Sequence, residues 1–354
     1  MTQHLPPDDR DGDAFGDDED PPAALTPDAP QGPPGGRTFS LEGRPVPSLY
    51  LLAWLLTVGG LGALLFVAQA GPSAGGSFVA LVATVSMGLG LAAAAGYQLV
   101  ARADRHPDRY RGPSPLILFG LVLVVSTLLS AGLAVLGLLD VDHPVGFLAS
   151  LVAVAATYLV VIWVFVVRGG ALRWVDMGWP SRATSARVLL RDVGEAMLVM
   201  LPVTIGVLLW GGILATLLRV TAPDTLPEAT NATEALALVL AAAVVAPIGE
   251  EAFFRGFALT AWWRDLGPRA ALIRSALFFA VVHILNIQVG PEEAGQGLAQ
   301  ALLSFLVILP LGLALGWLFQ RRGIVASIAG HVTYNGILLV LVALAPTGGA
   351  TPGG

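Results

Sequence analysis

Apolar positions in this chain come in blocks long enough to cross a bilayer, separated by short polar connections. A hydrocarbon core of about 30 Å takes about 20 residues of helix. Runs of that order occur near residues 48–70, 77–100, 115–139, 144–167, 193–218, 234–258, 273–291, 297–319 and 324–345. The pattern predicts an all-α fold, a polytopic transmembrane bundle of about nine helices. Because the 273–291 run is the shortest, eight helices with one re-entrant segment is the alternative.

The arginines give an orientation, since cytoplasmic loops are enriched in basic residues. Arg102, Arg105, Arg109 and Arg111 lie in the second connection, Arg168, Arg173, Arg182, Arg187 and Arg191 in the fourth, Arg264 and Arg269 in the sixth, Arg321 and Arg322 in the eighth. The intervening connections carry Asp140 and Asp142, Asp224 and Glu228, and Glu292 and Glu293, with Arg219 as their one base. This alternation predicts a multi-pass protein of the cell (plasma) membrane, with a cytosolic N-terminus and the C-terminus outside.

Composition sharpens the division into regions. The chain is 55% hydrophobic and 12% charged, well below the roughly 25% charged of a soluble domain. The net charge of −6 comes from residues 1–45, which are rich in Asp, Pro and Gly and are expected to form a disordered cytosolic tail. Residues 46–168 form a four-helix region whose helices are nearly free of ionisable groups, 169–192 an interfacial segment, 193–346 the region with the unusual polar residues, and 347–354 a second disordered tail. In the interfacial segment, Trp174 and Trp179 suit the headgroup layer, and Arg187 and Arg191 stand one turn apart on a short helix after Pro180. The chain has no cysteine, which removes disulfides and thiolate metal sites. No phosphate loop or further basic patch points to nucleic acid.

An ionisable residue inside a span is costly and is a functional candidate by default. The stretch A-P-I-G-E-E-A-F-F-R-G places Glu250, Glu251 and Arg255 in the sixth run; His283 lies in F-F-A-V-V-H-I-L-N, and His331 and Asn335 in G-H-V-T-Y-N. Glu251 and Arg255 are four apart, in the order that favours an ion pair. Glu250 points about 100° away and has no partner in its own helix. His331 and Asn335 share one face of the ninth run. Phe279, one turn before His283, can pack on its ring, and Asn286 lies on nearly the same face as His283. Pro247 and Gly249 can loosen the helix just upstream of the carboxylates.

A carboxylate, two imidazoles and an amide suit the activation of water, with one group taking a proton and others stabilising an oxyanion. Glu250, His283 and His331 are also a set of the kind that binds Zn²⁺ in hydrolytic sites, so the cofactor is either a zinc ion or none. Both routes lead to hydrolysis of a membrane-associated substrate.

E-E-A-F-F-R, F-A-V-V-H and H-V-T-Y-N, in that order, resemble the E-E-x-x-x-R, F-x-x-x-H and H-x-x-x-N motifs of the CPBP family of intramembrane proteases, which includes the type II CAAX prenyl endopeptidases and the bacteriocin-immunity proteins. The resemblance covers roughly residues 190–345. It implies an endopeptidase, glutamate- or metal-dependent, acting on a membrane-associated protein or peptide that can be lipidated. It also implies that Glu250 and His283 activate the water, that His331 and Asn335 form the oxyanion site, and that Glu251 and Arg255 are the supporting pair. Two other classes compete. A proton-coupled transporter would spread polar residues along a path through both leaflets, and a non-catalytic immunity or scaffold protein would not need the full polar set.

Overall fold

The helix ends follow from local chemistry. Pro115, Pro144 and Pro268 open their helices at positions where the missing N–H costs nothing. Ser73, Ser185 and Asn231 cap theirs by accepting from backbone N–H groups of the first turn. Gly267 and Gly323, with φ of 81° and 80°, make the reversals that a side chain would strain.

The computed structural model describes residues 40–70, 73–137, 139–220, 226–285, 287 and 296–344. Asn286 and nearly all of both expected tails fall outside these. The helices are α1 (Pro47–Ala70), α2 (Ala74–Ala101), α3 (Pro115–Val135), α4 (Pro144–Ile162), α5 (Ala186–Leu218), α6 (Ala232–Leu266), α7 (Pro268–Ile284), α8 (Gly297–Arg322) and α9 (Ile324–Leu344), with no strand among the described residues. Eight are long and apolar enough to span a membrane, and the chain is a multi-pass membrane protein. The short one is α7, whose 17 residues reach about 26 Å at 1.5 Å per residue.

The four arginine-bearing connections gather at one end. Arg109 Nη1 donates to the Asp265 carbonyl at 2.5 Å, and Gln320 Nε2 to the Pro268 carbonyl at 2.8 Å. Arg264 lies 3.6 Å from Asp176. The Ile324 N–H, at the start of α9, donates to the Gly178 carbonyl at 3.2 Å. Thus α7 leaves this end and α8 returns to it.

The connection between α4 and α5 differs from the expectation of a separate amphipathic helix. Its own helix is a 3-10 turn, Trp174–Met177, while Arg187 and Arg191 sit in the first turns of the 33-residue α5. Trp174 and Trp179 stack edge to face at 5.7 Å and pack against the core, because Met177 between them is fully buried beside α6. The Arg173 guanidinium, hydrogen-bonded to Asp176, holds that carboxyl below the usual carboxylate range.

The main core is aromatic. Phe253, Phe254 and Phe257 of α6 meet Phe119 of α3, Tyr158 of α4 and Phe279 of α7. Lipid supplies no hydrophobic drive between helices, so small residues govern close packing. A Cβ on Gly90 would lie 2.5 Å from the Thr57 N, so the α1–α2 hairpin closes on glycine. A Cβ on Gly249 would lie 2.9 Å from the Cα of Ala155. Gly249 therefore allows α6 and α4 to touch backbone to backbone, one residue before the carboxylate pair.

Candidate active site

Helix α6 changes register twice around its carboxylates. Widened π turns at Val239–Val245 and Ala252–Leu259 flank the ordinary α turn Ala246–Glu251. The first ends just before Pro247. The proline ring opposes the carbonyl four residues back and has no N–H to give, which suits the longer spacing upstream. Each widened turn rotates the side chains beyond it relative to a straight helix, and the Glu250–Glu251 pair sits between two such rotations.

Glu251 is fully buried and heavily hydrogen-bonded. Arg255 Nη1 donates to its Oε1 at 2.7 Å, with both side chains 0% exposed. His331 Nδ1 meets the same oxygen at 2.9 Å, and the Ser327 hydroxyl donates to Oε2. Arg255 also reaches the Gly312 carbonyl of α8 at 3.4 Å and lies 4.0 Å over the Phe279 ring. A buried charge without partners is very costly, and here the charges of Glu251 and Arg255 compensate each other. The pair ties together α6, α7, α8 and α9.

Glu250 faces elsewhere, with its side chain 24% exposed and its Oε2 3.8 Å from His331 Nε2. His283 Nδ1 lies 2.8 Å from the Phe279 carbonyl. A carbonyl only accepts, so Nδ1 carries the proton and Nε2 is left with its lone pair. The His283 ring sits 4.3 Å from the Phe279 ring, and the His331 ring 5.9 Å from it. Phe279, fully buried, neighbours both imidazoles.

Asn335 is placed differently from its expected partners. Its Nδ2 donates at 2.7 Å to the Ala242 carbonyl in the first widened turn of α6, so one amide proton is committed to backbone. Glu250, His283 and His331 do not form a three-ligand set in this geometry. Among the described residues no group of three or more His, Cys, Asp or Glu side chains is placed to hold a metal ion.

Two contributors escaped the sequence reading. Ser327 stands four residues before His331 and eight before Asn335, so the three form one stripe of α9; that spacing was the available signal. The other is α4, which the sequence marks only as an apolar span. It brings Ala155 against Gly249 and Tyr158 against Phe253 and Phe254.

Residues 232–337 match the Rce1-like family, type II CAAX prenyl endopeptidases. The Rce1-like segment opens with α6 and ends within α9, so it spans every motif described above and leaves α1–α5 outside. It supports a CAAX-type intramembrane protease. Neither a curated protein nor a solved structure matches the chain significantly.

Proposed function

We propose that this protein is an intramembrane endopeptidase that hydrolyses a peptide bond of a membrane-associated, CAAX-type substrate with a water molecule activated by side chains. The observation that carries this is the division of labour between adjacent carboxylates. Glu251 is consumed by three donors, whereas Glu250 has no hydrogen-bonded partner among the described residues and faces His331 Nε2 at 3.8 Å.

In this reading Glu250 takes a proton from water as its oxygen bonds to the scissile carbonyl carbon. His283, with Nε2 free, orients that water. His331, braced at Nδ1 by Glu251, faces the oxyanion with Nε2. Collapse of the tetrahedral intermediate breaks the C–N bond, and the proton held by Glu250 passes to the leaving amine. Residues 193–346 form the catalytic region, the arginine-rich end faces the cytosol of a cell membrane, and the substrate is presented from the bilayer.

The test compares protein termini in membranes of cells lacking this protein and complemented with wild type or Glu250→Ala at matched expression. New N-termini or shortened C-termini dependent on Glu250 are expected. Identical profiles across growth conditions would overturn the reading.

A further inference from the structure

We propose that Asn335 is a positioning residue that acts through the backbone of α6, holding open the widened turn that aims Glu250. The proposal rests on the endopeptidase reading for its consequence, and on backbone accounting for its substance.

In the turn Val239–Val245 the Ala246 N–H donates to the Ala241 carbonyl, five residues back. The next carbonyl, Ala242, has thereby lost its ordinary α-helical donor, Ala246. Its donor in the widened register is residue 247, which is proline. Ala242 has no donor left in its own helix. In a bilayer an unsatisfied carbonyl costs several kcal/mol, and proline is tolerated where a neighbouring helix repairs the loss. Asn335 Nδ2, from α9, makes that repair at 2.7 Å.

The same repair occurs at a second proline of the bundle. Pro310 lies inside α8 and deprives the Leu306 carbonyl of its donor, and Trp210 Nε1 of α5 donates to that carbonyl at 3.0 Å.

The two cases differ in the residues that lie downstream along the helix. Glu250 stands three residues after Pro247, so the register fixed by Asn335 sets the direction of the carboxylate. Without the amide, α6 can recover hydrogen bonds only by returning toward the ordinary spacing, which turns Glu250 away from His331. Asn335 and Pro247 therefore form one device, with the proline removing the donor and the asparagine supplying it from outside.

The experiment is a double-mutant cycle on the full chain in lipid nanodiscs with Pro247→Ala and Asn335→Ala. It reads thermal unfolding together with cleavage of an internally quenched farnesylated peptide. With Pro247 in place, Asn335→Ala is expected to lower Tm by roughly 1–4 °C and cleavage by about a hundredfold. In the Pro247→Ala background, where the chain has its own N–H at position 247, the same substitution is expected to cost little in either. Equal, additive losses in both backgrounds would overturn the proposal and leave Asn335 as an oxyanion donor only.

The Tm cycle reads the repair even if the wild type cleaves nothing, so failure of the endopeptidase reading and failure of this one are distinguishable. Should Pro247→Ala not fold, Asn335→Leu serves instead. With the same branching but no donor, it is expected to lower Tm, with Asn335→Gln recovering part of the loss. An unchanged Tm for Asn335→Leu would overturn the proposal.

Discussion

Pro247 and Pro310 create the same defect in two helices, and the bundle repairs both with a side chain from another helix. At Pro310 the helix keeps its ordinary register and the donor is the indole of Trp210, a residue 42% exposed. At Pro247 the helix widens and the donor is a half-buried amide one turn beyond His331. The first repair maintains packing, whereas the second lies on the wall of a site. A proline in a membrane helix is thus uninformative by itself, and the residues beyond it decide what its bend is used for.

Substitutions that separate packing from chemistry sharpen this comparison. The largest effect is expected at the buried pair. Glu251→Gln leaves Arg255 uncompensated and should cost about 3–5 kcal/mol in chemical unfolding, with cleavage lost. Gly249→Val comes next, since its Cβ would meet the Ala155 backbone at 2.9 Å; separation of α4 from α6 should lower Tm by several degrees, and a double Gly249→Val, Ala155→Gly chain should recover part of it. Ser327→Ala removes one hydrogen bond to a charged group, about 1.5–3 kcal/mol by the usual measure, and should weaken stability and cleavage together. Trp210→Phe should cost only about 0.6 kcal/mol and leave cleavage unchanged; a cleavage defect as deep as that of Asn335→Ala would erase the distinction between the two prolines.

The smallest effect lies outside the bilayer. Arg173 holds the Asp176 carboxyl below its ordinary range, so its contribution to stability is present above the unfolded-state pKa and is lost as pH falls through the lower folded value. Tm of the wild type should therefore decline over that acid range more steeply than Tm of Asp176→Asn. Parallel curves would show that the Arg173–Asp176 pair contributes nothing to stability.

Much of this was legible from spacing. The apolar blocks located the helices because a bilayer imposes length on any span, and the four-residue interval between Glu251 and Arg255 identified the two ends of the buried pair. The length of α6, which runs on to Leu266, was hidden because its last turns carry Arg264 and Asp265 beyond the apolar run. Ser327 was overlooked because a serine among small residues reads as packing until the helix opposite presents a carboxylate. The link between Pro247 and Asn335 depends on the approach of α9 to α6, which no local pattern encodes. The part of α4 was invisible for the same reason: Ala155 and Tyr158 bear on the site through shape alone.

The Gly178 carbonyl, which receives the first N–H of α9, and Met177, buried against α6, give the molecule a boundary of its own. The family segment begins at residue 232, yet the wall it packs against is made by chain that precedes it. A fragment starting at residue 226 would expose Phe253 and Phe257 and lose the anchor of α9. Supplied in trans with residues 1–225, it has a ready template on which to reassemble. Cut at the α5–α6 connection, the two halves are expected to form a stable bundle only when they are produced together, which co-purification of separately tagged fragments would check.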